Sequence, residues 1–216
     1  MNLTLQQPMG TLSANMKPLK ASAQSLRETT LALDTADTQA LYDQLTQLPN
    51  RRLFIDRFNQ TYLSSRRSIT FTALLFLDLD KFKVVNDVYG HAVGDLLLIE
   101  VAKRIKAAVR DDDTVARLGG GEFGVLLANQ GADEQRAIIE AEKISEEIRA
   151  SIAMPVIIKQ DGLDVAIDPQ CTVSIGFSVF LFELGDRRAI LEKLATLSNM
   201  AMIQAKKAGG NRIQIS

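Results

Sequence analysis

Asp78 and Asp80 stand two apart where the apolar run ITFTALLFL (Ile69–Leu77) ends. That spacing lets both carboxylates reach one side of a sheet rim, the way a hard cation such as Mg2+ is presented to a phosphate. A solvated strand end followed by a turn has the same spacing. Further along, RLGGGEFGVLL (Arg117–Leu127) sets a glycine run between two apolar half-strands, with Glu122 opening the second. An acidic hairpin beside the Asp78 rim would complete a two-carboxylate metal site.

Other pairs have the chemistry to read a guanine edge. Asn86 and Asp95 flank NDVYGHAVGD; a carboxylate accepts the N1 and N2 hydrogens of guanine and an amide serves its O6 or N7 side. Asp95 alone also suits a helix N-cap, and His91 a turn. In RDDD, Arg110 could fork onto O6 and N7 while Asp113 takes N1 and N2, or the segment is a helix C-terminus followed by an acidic surface turn. Lys206, in the basic run before Gly209-Gly210, could neutralise phosphates or serve as a helix-end cation.

The elements that must position these residues follow from periodicity. A helix is expected from about Arg51 to Tyr62, a buried strand over Ile69–Leu77, a strongly apolar helix from Gly94-Asp95 to about Val109, and a hairpin Thr114–Leu118 and Glu122–Ala128. An amphipathic helix follows over Ala132–Ile152. Strands Met154–Lys159 and Leu163–Ile167 flank Gln160-Asp161-Gly162, then come a strand Cys171–Phe182, a helix Arg187–Ala208 and a short strand Arg212–Ile215. Two hairpins among alternating helices make the sheet at least partly antiparallel, an α/β (α+β) class. Upstream, residues 1 to about 17 read as a loose end. Leu19, Leu26, Leu33 and Ala40 recur every seven residues, a narrow helical seam that either packs on its own domain or pairs two chains.

Bulk properties narrow the classes. With 216 residues, one domain plus an extension is expected, divided at 1–40 and 41–216. Lys+Arg 25 against Asp+Glu 26 lacks the basic excess of a general nucleic-acid binder, so a nucleotide must be held locally. One cysteine, Cys171, and one histidine, His91, exclude an internal disulfide framework and a His/Cys zinc site. No run reaches the length of a membrane span and no signal peptide opens the chain, so a cytoplasmic location is expected.

Taken together, the segments resemble the GGDEF family of diguanylate cyclases, which condense two GTP into cyclic di-GMP. The likeness runs from about Asp43 to Arg212. DQLTQLPNRR (Asp43–Arg52) is similar to the family's opening motif DxLTGLPNR, with Gln47 in place of glycine; DLDKFKVVND (Asp78–Asp87), GHAVGD (Gly90–Asp95) and VSIG (Val173–Gly176) match in order. The resemblance implies a palm-like nucleotidyl cyclase fold, a central, mostly antiparallel five-stranded sheet wrapped by helices, with an N-terminal helical extension. It implies Mg2+ or Mn2+ at Asp78, the Leu79 carbonyl and Glu122, GTP at Asn86, Asp95, Lys83 and Lys206, product at the RxxD pair Arg110 and Asp113, and a homodimer.

The departures bear on activity. The signature GG[D/E]EF is GGGEF here, so Gly121 stands where the family has a metal-binding acid and presumed base. Neighbouring strand residues point to opposite faces, so Glu122 is expected to reach the Asp78 metal only if the turn rearranges. Gly121 is also expected to loosen the hairpin. Gly210 replaces an arginine, and Asn199 and Ile203 replace an aspartate and a tyrosine. The expectation is a module that binds cyclic di-GMP, with GTP as a further ligand and cyclase turnover weak or lost; the alternative is an active homodimeric cyclase.

Overall fold

A run with branched and aromatic side chains on both faces needs cover on both faces, and Thr72–Leu79 (β1) accordingly lies at the centre of the sheet. The computed structural model describes residues 40–160, 163–167, 171–182 and 185–216, with Gln24 and Arg27 as isolated helical positions. The seam at Leu19, Leu26 and Leu33, and the turn residues Asp161 and Gly162, lie outside the described residues.

The chain enters α1 (Arg51–Ser68) after Asn50, whose side chain accepts from the Arg52 and Leu53 amides at 2.9 and 3.1 Å. After β1 come α2 (Phe82–Tyr89), α3 (His91–Ala107), the hairpin β2 (Thr114–Gly119) and β3 (Glu122–Leu127), and α4 (Glu134–Ile152). A separate hairpin, β4 (Val156–Gln160) and β5 (Leu163–Ile167), precedes β6 (Val173–Phe180), α5 (Arg187–Lys207) and β7 (Ile213–Ile215). The five-stranded sheet has the order β2-β3-β1-β6-β7; only β6 and β7 run parallel. The expected mostly antiparallel sheet wrapped by helices is what the chain forms.

Period-two alternation along β1 divides the core. Ala73, Leu75, Leu77 and Leu79 pack with α3 and α4 through Leu97, Val101, Ile105, Ala141, Ile144 and Ile148. Leu74 faces the other way, onto Phe54, Phe58 and Tyr62 of α1 and Leu194 of α5. Phe58 and Tyr62 are fully buried and stack with ring centroids 5.9 Å apart; burying each such ring contributes about 1.5–3 kcal/mol.

Several boundaries differ from expectation: the strand expected over Ile69–Leu77 runs Thr72–Leu79, because Ile69 is the left-handed C-cap of α1 at φ 53°, and the strand expected over Cys171–Phe182 is confined to Val173–Phe180. The segment Phe82–Tyr89, rich in valine and too short to show a helical period, is a helix. Gly90, with φ +84, ends it, and α3 begins at once at His91 rather than Gly94. Asp95 is therefore in the second turn of α3 and is not its N-cap; that position is Gly90, which makes no side-chain cap. The first helix also continues past Tyr62, closing with Arg66 and Arg67, favourable cations at a helix C-terminus.

On β6, Gly176 lets α5 lie directly on the sheet, since a Cβ there would stand 2.1 Å from both the Met202 nitrogen and the Ser198 carbonyl oxygen. Gly176→Ala must displace backbone, so it should lower the unfolding free energy by about 1–3 kcal/mol in urea denaturation.

Candidate active site

The register of β1 against β3 sets Asp78 directly opposite Glu122. Directly opposed residues share a sheet face, with Cβ atoms about 4.5–5.5 Å apart. The expectation that Glu122 lies on the far face from Asp78 is thus corrected: what decides the face is the partner across the ladder. Gly121 is the residue on the opposite face, where an added Cβ would meet the Leu79 Cβ at 3.3 Å and the Phe82 ring at 3.4 Å.

The turn explains why. Gly119 and Gly120 take φ of +144° and +50°, conformations that glycine adopts freely, and β2 carries a register shift just before them. Gly121 is not among the positive-φ residues. The backbone at this position suits any L-residue, so the expected loosening through shapes closed to aspartate is not what distinguishes it; the absent side chain is.

Arg117, which sequence reasoning missed as a functional residue, fixes this turn. Its Nε and one terminal nitrogen donate to the Gly120 carbonyl at 3.1 and 3.0 Å, while the other donates to both Asp43 oxygens at 3.1 and 3.2 Å. Burial alone would raise the Asp43 carboxyl, but hydrogen bonds from the Thr46 amide and hydroxyl and from Arg117 outweigh it and hold the group below its usual value. Gln47 adopts φ 59°, in the left-handed region that favours glycine, at a cost of about 1–2 kcal/mol. The only sequence signal for Arg117 was an arginine beside the glycine run; its partner lies across the fold.

Both carboxylates have cationic neighbours. Lys206 Nζ, in the last turn of α5, is 2.5 Å from Asp78 Oδ2, and Arg51 approaches Glu122 at 3.9 Å. The second pair is half exposed and contributes little. A cavity of about 250 Å3 on the same face is lined by Arg51, Glu122, Thr196, Asn199 and Met202; Ile203 sits on the exposed side of α5.

Asp80 shares the side of the sheet that Asp78 occupies, since it bonds Ser174, the ladder partner of Asp78, but its carboxylate is taken up by structural donors. Its oxygens accept from the Thr172 and Ser174 hydroxyls, each at 2.7 Å, and from the Asn211 amide at 2.9 Å, with Gly210 against the carboxylate. Asp80 ties β1 to β6 and to the turn after α5. Burial and this charge push the nearby Cys171 thiol up to about 12, so it stays protonated.

The guanine candidates occupy two regions. Asn86 on α2 packs its amide against Gly94, the residue before exposed Asp95, because α2 and α3 fold back at Gly90; Lys83 is exposed on α2. Arg110 and Asp113, by contrast, do not project together. Asp113 is 5% exposed and accepts from the Arg110 and Ala128 amides, both at 3.0 Å. The Arg110 guanidinium lies outside, 3.3 Å from Glu140, in a cleft of about 640 Å3 shared with Asn129, Gln130 and Arg136. A carboxylate so deeply placed takes the nearest donors, and here those are backbone amides.

Among the described residues no group of three or more His, Cys, Asp or Glu side chains is placed to hold a metal, and no helix is long and apolar enough to cross a membrane.

Burial pushes the Asp113 carboxyl above its ordinary value despite the two amide hydrogen bonds. The folded protein thus holds this proton more tightly than the unfolded chain. Its contribution to stability is full below the unfolded pKa of about 3.9 and falls as pH rises through the folded value. Carboxyl-carbon NMR should show Asp113 titrating above that value. Asp113→Ala should cost about 1–3 kcal/mol for each orphaned amide, read by urea unfolding.

Comparison with known proteins fits this geometry. The family described as "Diguanylate cyclase, GGDEF domain" matches residues 40–212. The chain is 41% identical over 172 residues to the bifunctional diguanylate cyclase/cyclic di-GMP phosphodiesterase MucR of Pseudomonas aeruginosa, covering 80% of this chain and 23% of that protein. It is 38% identical to the diguanylate cyclase TpbB of the same organism, covering 81% of this chain and 37% of TpbB. It therefore spans less than two fifths of either relative. The crystal structure of the coiled coil and GGDEF domain of DgcB from Caulobacter crescentus, in complex with c-di-GMP, superposes with a TM-score of 0.77 at 26% identity, covering 95% of this chain and all of that one. The GGDEF domain of TpbB superposes at 0.68 with 36% identity, over 81% of this chain and 93% of that one. With the family model spanning residues 40–212 and these relatives alike over four fifths of its length, this chain belongs to the GGDEF diguanylate cyclase family.

Proposed function

We propose that residues 41–216 form a nucleotide-binding module of cyclic di-GMP signalling that binds cyclic di-GMP beside Arg110, binds GTP in addition, and has weak or no diguanylate cyclase turnover. The observation that carries the loss of turnover is Gly121: its φ is ordinary, yet the signature's third position offers no carboxylate. Removing one charge-stabilising group from a preorganised phosphoryl site costs about 10^2–10^3 in rate.

Asp78 and Glu122 on one face, with the Leu79 carbonyl beside them, form a hard oxygen donor set that suits Mg2+ or Mn2+. When bound, such an ion stabilises developing charge on a phosphoryl group. The chain's own residues do the remaining work: Asn86 and Asp95 read guanine, Lys83 and Lys206 place positive charge beside phosphates, and the Gly119-Gly120 turn, steadied by Arg117, lets backbone come close to them.

For cyclic di-GMP, Arg110 is exposed on a cleft large enough for a ligand base, with Arg136 adding charge. Asp113 acts there by holding the Arg110 amide and so shaping the turn that presents the guanidinium. Support also comes from the relatives, since the DgcB GGDEF domain, 27% identical, has been crystallised with c-di-GMP. We place the module in the cytoplasm, with residues 1–40 as its linker.

One observation favours a second reading. The Asp78–Glu122 pairing preserves two acids on one face without any turn rearrangement, as an active cyclase requires. In that reading two copies face each other about a two-fold axis and each 3'-hydroxyl attacks the other's α-phosphate.

Two measurements decide between these readings. In titration calorimetry Arg110→Ala should lose most of the cyclic di-GMP affinity of the wild type, and equal affinity would remove Arg110 from the site. With GTP and Mg2+, Gly121→Asp and Gly121→Glu should synthesise cyclic di-GMP at least about 10^2 faster than the wild type. Ordinary multiple turnover by the wild type would establish the second reading.

A further inference from the structure

Resting on the reading of Asp78 as a cation-binding carboxylate, we propose that Lys206 is a tethered counterion which a divalent cation must displace from Asp78. One ammonium group then couples cation binding to phosphate binding.

The argument begins with charge. Asp78 and Glu122 are direct cross-strand partners, and two carboxylates at that spacing repel unless positive charge is supplied. Arg51 stands off at 3.9 Å from Glu122, whereas Lys206 contacts Asp78 at 2.5 Å, with the two side chains 34% and 23% exposed. Lys206 is the ion-pair partner of Asp78 among the described residues.

The tether is rigid at one end and flexible at the other. Met202 and Ala205 bury the last turns of α5 against the sheet, which fixes the Lys206 backbone. The four-carbon stem leaves the ammonium free to swing. Such a group competes at the high effective concentration of an intramolecular ligand, so a diffusing cation must compete with it continuously. An ammonium carries one charge, whereas a divalent ion would bring two to the paired acids. Once displaced, the ammonium swings to the nearest anion, and in a loaded site that is a phosphate. By reciprocity, a phosphate that captures Lys206 frees Asp78 for the cation.

The test uses Mn2+ alone with the full chain, following the free-ion signal by electron paramagnetic resonance. No nucleotide is present, so the result is independent of whether GTP or cyclic di-GMP binds. Lys206→Met should bind Mn2+ about tenfold more tightly than the wild type, within the usual range for coupled sites. Lys206→Arg should stay weak, and adding Asp78→Asn to Lys206→Met should abolish the gain. Lys207→Met, which removes the same charge one residue away, should change affinity less than about twofold. Equal Mn2+ affinity in the wild type and Lys206→Met would overturn the proposal, as would a gain that survives Asp78→Asn or is matched by Lys207→Met. Thermal unfolding in chelator checks that each variant is folded.

Discussion

Because Asp78 and Glu122 are partners in the antiparallel ladder of β1 and β3, two acids share one face of the sheet at its rim, and the surrounding structure has to manage that charge. The ladder itself is fixed by burial. Leu74, Leu75 and Leu77 are fully buried on β1 and Phe123, Val125 and Leu127 on β3, so a one-residue slip would move side chains fitted to one helix layer onto the other and misfit both cores. The chemistry at the rim is thus set by hydrophobic packing below it.

Positive charge is then distributed with different degrees of constraint. Arg117 is a fixed strut, with a planar fork that satisfies the Gly120 carbonyl and the Asp43 carboxylate together. Lys206 is a flexible point charge on a fixed helix end. Arg51 is exposed and loosely held. Only the first has the geometry to hold a backbone turn in place, and only the second has the freedom to exchange one anion for another.

The same polar residue types serve structure elsewhere. Asp80 and Asp113 each satisfy hydroxyl or amide donors inside the fold, while Asp78 and Asp95 remain where a ligand can approach. Asp113 shows how burial redirects a residue: within the RxxD motif the aspartate shapes the turn and the arginine meets solvent.

Much of the fold was legible in the sequence. The branched and aromatic run ITFTALLFL, the glycine turn at 119–121 and the helical period of Ala132–Ile152 are local properties, and local sterics and burial suffice to mark them. The missing acid at Gly121 was equally plain. What only the tertiary structure decided is which residues meet: Glu122 on the face of Asp78, Arg117 on Asp43, Lys206 on Asp78, and Asp113 turned inward. These depend on strand register and on the docking of α5 and the Asp43 loop, and such long-range contacts leave no periodic trace in the residues that make them.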